Sequence, residues 1–98
     1  MKLWIDDQKV PPDPSWVWAK NYDEAMTALH VGGITHVSLD HDIGSELPEK
    51  TGYGIACWIE KGAAGGRVKR MTWDVHSENP SGRDKIMAAM QSAERFWK

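Results

Sequence analysis

The chain is 98 residues long, with 41% apolar residues, 27% charged residues and six tryptophans. These proportions fit one folded core and exclude both a second domain and a disordered segment. Its formal net charge of −2 supplies no bulk positive field for coating DNA. The single cysteine, Cys57, closes no intramolecular disulfide and builds no thiolate metal cage. No apolar run approaches the roughly 20 residues that span a bilayer, and Asp6 and Asp7 arrive too early for a secretory leader. A cytoplasmic protein with no membrane partner is expected, a monomer by default.

Lys2 to Ile5 reads as a buried strand that ends on two carboxylates, Asp6 and Asp7. Residues 8–15 contain three prolines, which forbid a helix and leave a stiff extended connection to a second short strand, Trp16 to Ala19. Asn21 with Glu24 three residues later forms a capping pattern, and Tyr22, Ala25, Met26 and Leu29 recur at helical spacing. That helix is predicted to stop at Gly32 and Gly33. Ile34 to Leu39 reads as a third strand, closed by Asp40, His41 and Asp42.

Beyond a polar stretch, Ile55, Trp58 and Ile59 mark a second helix ending near Gly62, with Ala63 to Gly66 as a loop. Met71, Trp73 and Val75 then alternate with Thr72, Asp74 and His76 in a fourth strand. Asn79 can cap a last helix with Pro80 at its first position, and Ile86, Met90, Ala93 and Trp97 form its stripe as it runs to the C-terminus. Alternating strands and helices predict an α/β fold with a parallel sheet. His30 and His36 read as structural residues, and the tryptophans as core, with Trp16 or Trp18 as a candidate to face a nucleobase.

Polar clusters collect at three strand ends: Asp6 and Asp7; Asp40, His41 and Asp42; His76, Ser77 and Asn79. In a parallel sheet these ends share one edge, so the clusters are predicted to make one site. Hydrolysis of a phosphate ester needs a base to activate water, an acid for the leaving hydroxyl and positive charge on the non-bridging oxygens. His41 and His76 can serve as base and acid, since an imidazole does either near neutrality. Asp40 or Asp42 can orient a histidine, and the amides of Gly82 and Arg83, with the Arg83 guanidinium, can hold phosphate. Asn79 reads equally well as a plain helix cap. Asp6, Asp7 and Asp40 suit Mg²⁺ or Mn²⁺, whereas zinc would draw on His41 and His76 with a carboxylate. If both histidines do the acid–base work, no metal is required.

The motifs W-I-D-D-x-K-x-P-P, L-D-H-D and H-S-x-N-P-x-G resemble those of the cyclic-phosphate processing receiver family, over nearly the whole chain. The resemblance implies a three-layer receiver-like fold: a short, mostly parallel four-stranded sheet flanked by about three helices, with the receiver's fifth strand missing. It implies that Asp6 and Asp7 are the metal-binding acidic pair, Asp40 the phosphoacceptor position and Ser77 the hydroxyl residue after the fourth strand. His41, Asp42, His76 and Asn79 match what distinguishes the cyclic-phosphate branch. Lys9 stands where that branch more often has arginine, and with no fifth strand the receiver's lysine is absent.

The expected function is a small phosphoesterase that opens a cyclic phosphate on a nucleotide or RNA end, with Lys9, Ser77, Asn79, Gly82 and Arg83 binding the substrate. Two alternatives are a signalling module phosphorylated on Asp40 and a protein that binds a cyclic nucleotide without cleaving it.

Overall fold

The structure is a computed structural model that describes residues 1–97. Strands β1 (Lys2–Ile5), β2 (Trp16–Ala19), β3 (His36–Leu39) and β4 (Thr72–Val75) alternate with helices α1 (Tyr22–Val31), α2 (Gly52–Ala64) and α3 (Pro80–Phe96), and a 3₁₀ turn at Pro48–Lys50 precedes α2. All strand pairs are parallel, in the order β2-β1-β3-β4. Among the described residues there are four strands and three helices, as the sequence predicts for this α/β receiver-like fold.

The strand period of two sorts the side chains onto two unlike faces. Leu3, Ile5, Val37, Leu39 and Val75 point into one core with the buried faces of α1, α2 and α3. In the helices that face is built from Ala25 and Leu29, from Ile55 and Ile59, and from Ile86 and Met90. The alternate positions, among them Trp4, Trp16, Trp18, His36, Ser38 and Asp74, lie on the other face and outside that core.

The third layer on this second face is a loop rather than a helix. β1 and β2 are parallel neighbours, so the proline-rich connection must travel back along the sheet between them. It fastens to this face through two indoles: Trp4 Nε1 donates to the Lys9 carbonyl (2.8 Å) and Trp18 Nε1 to the Asp6 carbonyl (2.8 Å).

Three elements differ at their bounds from the sequence reading, and β4 spans Thr72–Val75 without the expected Met71 and His76. β3 begins at His36 rather than Ile34, with Thr35 still bonded through its backbone to Met1 and Thr72 at the entrance to the sheet. α2 runs on through Ala64, since Ala63 still faces the core, leaving Gly65 and Gly66 to turn the chain.

Candidate functional site

The chain steps from β1 leftward to β2 and later rightward to β3, so the crevice at their carboxyl ends is the topological switch point where open α/β sheets bind ligands. A pocket of about 200 Å³ opens there. Asp6, Asp7, Lys9, Asp40, Asp42 and His76 line it together with Gln8, Glu78 and Asn79.

Asp6 leaves β1 directly into the pocket floor and is only 2% exposed. Its Oδ1 accepts from the amides of Gln8 and Lys9, both at 2.8 Å, and its Oδ2 faces His76 Nε2 at 3.0 Å. Burial pushes this carboxyl up, but the two amides and the imidazole together hold it below the ordinary carboxylate range. Asp40 is displaced the other way: burial and the nearby Asp6 charge raise it, against the opposing pull of the His41 amide, His76 and Ser77. The two neighbouring carboxyls are thus pushed apart in proton affinity.

His76 is the best-held side chain of the site. Its ring stacks on Trp4, with centroids 3.9 Å apart and planes within 5°. Nδ1 lies 2.7 Å from Ser38 Oγ, and Ser38 in turn donates to Asp74. A hydroxyl has one proton, so Ser38 must accept from His76 Nδ1–H while it donates to Asp74. His76 Nε2 is thereby turned toward Asp6 Oδ2, and the contact is complete only with a proton or a cation between them. The hydrogen bonds continue to His36, whose Nε2 meets Asp74 Oδ2 at 3.0 Å and whose Nδ1 meets Thr72 Oγ1 at 2.7 Å.

The other expected residues divide into those that line the pocket and those that do not. Lys9 reaches the rim, where its ammonium meets Glu78 at 2.9 Å and both groups remain exposed. Asp42 lines the pocket and is held below its usual range chiefly by a hydrogen bond from His41. Asn79 also lines it, with Nδ2 near Asp42 (3.4 Å), while its Oδ1 caps α3 by accepting from Gly82 N (3.1 Å). Ser77 is buried just behind, its Oγ accepting from the Asn79 amide.

The His41 ring does not line the pocket. It packs on Gly82, where an added Cβ would lie 2.4 Å from His41 Cγ. The expected pairing of His41 with His76 across one pocket is therefore not formed. The phosphate cradle expected at Gly82 and Arg83 is not formed either. The Gly82 amide is taken by Asn79 Oδ1, the Arg83 amide by the Asn79 carbonyl, and the Arg83 guanidinium donates to Val75 O at 3.0 Å.

Asp6 and Asp40 offer carboxylate oxygens and His76 a ring nitrogen, all within 4.8 Å of one another, a donor set that fits a divalent cation. Asp7 stands beside this trio in the pocket lining, close to Gly44, rather than within it.

A family model for the cyclic-phosphate processing receiver domain matches residues 1–92. The chain belongs to that family. No curated protein and no solved structure compared with it matches. In this cyclic-phosphate processing receiver domain, the carboxyl edge of the sheet gathers Asp6, Asp40 and His76.

The chain from Asp74 through Ser38 to His76 is the part that the sequence reading missed. Its signal is the strand alternation itself: Thr72, Asp74 and His76 fall on one face, opposite His36 and Ser38 of the neighbouring strand. His36 was expected to be purely structural, whereas it closes the outer end of this chain.

Proposed function

We propose that this domain hydrolyses a cyclic phosphate on a nucleotide or RNA end, with His76 as the group that handles the proton at the reacting phosphorus. The observation that carries the reading is the fixing of His76, gripped at Nδ1 by Ser38 and Asp74 and presenting Nε2 beside Asp6 and Asp40. Hydrolysis joins a water oxygen to phosphorus, breaks one ring P–O bond and delivers a proton to the departing sugar oxygen. His76 Nε2 is the proton carrier in that exchange: it takes the proton from the attacking water and returns it to the departing sugar oxygen.

The pocket has five carboxylates, Asp6, Asp7, Asp40, Asp42 and Glu78, against Lys9 and His76. A phosphodiester anion is repelled by such a lining unless positive charge is added. Asp6 and Asp40 would hold a divalent ion of the Mg²⁺ or Mn²⁺ kind beside His76, which when bound supplies charge to the non-bridging oxygens. In that arrangement the Ser38–Asp74 pair keeps the Nδ1 proton in place and leaves the Nε2 lone pair free to take up the proton. Lys9 meets the phosphate from the rim, and Asn79 steers Asp42.

Incubating the full chain with 2′,3′-cyclic and 3′,5′-cyclic nucleotides, with Mn²⁺ or with chelator, and separating the products tests this reading. Ring-opened monophosphate formed only with the metal supports it. Phosphate left on Asp40 would favour the signalling alternative, and intact bound nucleotide the non-catalytic one.

A further inference from the structure

We infer that the cavity at the opposite, amino edge of the sheet is a binding site for a nucleoside phosphate, separate from the site of cyclic-phosphate chemistry. It measures about 580 Å³ and lies where α1 and α2 end and where the segments leading into β3 and β4 begin. That volume falls within the range of small-molecule pockets, about 300–1,000 Å³.

Its wall is apolar and partly aromatic. Leu29, Ile34 and Met71 come from the core, and Trp58 stands over the cavity with the His30 ring 5.2 Å from its own, tilted by 43°. His30 is held in place by Nδ1, which donates to the Met26 carbonyl at 2.8 Å. Gly32 and Gly33 line it with backbone alone. A flat ring fits against such a wall.

The rim supplies the second half of the argument. Lys61, Arg67 and Lys69 border the cavity, and no carboxylate does. Among the described residues none of the three cations makes an ion pair. Lys61 sits in the last turn of α2, where the helix dipole favours a cation, but Arg67 and Lys69 are outside any helix and have no such local reason. Three like charges gathered at one apolar mouth, in a chain of net charge −2, are complementary to an anionic group carried on an apolar body. Inorganic phosphate would leave the aromatic wall unused and a free nucleoside would leave the cations unmatched, whereas a nucleoside phosphate uses both.

The test is an NMR titration of the full chain with adenosine 5′-monophosphate, adenosine and inorganic phosphate. It follows the Trp58 indole N–H and the amides of Ile34 and Val68. The nucleotide is expected to saturate these signals, with adenosine and phosphate each weaker by about tenfold or more. Reversing the exposed charges in an Arg67→Glu, Lys69→Glu double variant should weaken the nucleotide by a similar factor. His76→Ala should leave it unchanged, so the cavity can be judged whether or not the cyclic-phosphate reading holds. Shifts confined to the Asp6 and Asp40 edge, no saturation at millimolar nucleotide, or full affinity in the double variant would each overturn the assignment.

Discussion

His76 receives a hydrogen bond partner at each ring nitrogen, and the partners are of different kinds: a hydroxyl backed by Asp74 at Nδ1, and a buried carboxylate at Nε2. Asp74 touches neither the pocket nor the reacting phosphate, so it is a positioning residue. Asp74→Asn and Ser38→Ala are expected to lower kcat by about 10–100-fold with little change in KM, as the loss of a partner that orients a catalytic side chain generally does. A steady-state comparison with wild type reads this directly, and unchanged kcat in both variants would remove the relay from the mechanism. Ionised Asp40 is a burden on the fold, because burial and Asp6 raise its carboxyl in the folded chain. That penalty is complete above the raised folded-state value and vanishes as pH falls below the unfolded value of 3.8. Asp40→Asn should therefore stabilise the chelated protein at pH 7 by roughly 0.5–2 kcal/mol in urea unfolding. The gain should shrink as the pH approaches 3.8. Asp6 has the opposite sign: its lowered carboxyl contributes stability above 3.8 that is lost as pH falls through the folded-state value.

The start of α2 places Asp40, through a contact with no room for a side chain. Gly52 N donates to His41 O at 2.9 Å, and a Cβ on Gly52 would lie 1.8 Å from the Asp40 carbonyl oxygen. Gly52→Ala must push α2 off the end of β3, and a loss of about 1–3 kcal/mol is expected in thermal or urea unfolding. A variant as stable as wild type would mean that the helix start is free to shift. The elements themselves were legible in the sequence because each carries a local signal: the Asn21 and Asn79 caps, the proline run, the helical apolar stripes and the alternation in β4. The gathering of Asp6, Asp40 and His76 was legible too, since strand direction alone sends them to one edge. The fate of His41, Gly82 and Arg83 was not. Whether a ring one residue beyond Asp40 turns into the pocket or under α3 depends on how closely that helix approaches, a packing distance that spacing along the chain does not encode. A capping side chain likewise consumes the same amides that would otherwise bind phosphate, and Asn79 signals either outcome equally.

At the scale of the whole molecule, one side of the sheet is given to stability and the other to the site. The aliphatic face and three helices form the core, while the second face carries the hydrogen-bonded chain from His36 to Asp6. Because the loop is fastened by the Trp4 and Trp18 indoles, the same tryptophan that stacks on His76 also anchors the segment bearing Lys9. Mn²⁺ bound by Asp6 and Asp40 would favour the folded state, so the melting temperature should rise with metal concentration in wild type and stay flat in Asp6→Asn. An equal rise in both would place the ion elsewhere. The account turns on His76 acting in chemistry, and single-turnover hydrolysis of the preferred cyclic nucleotide by wild type and His76→Ala, at saturating metal, tests it most directly. A rate lower by about 10²–10⁴-fold in the variant, with substrate affinity little changed, is the predicted result. A His76→Ala domain that opens the ring at the wild-type rate would contradict it.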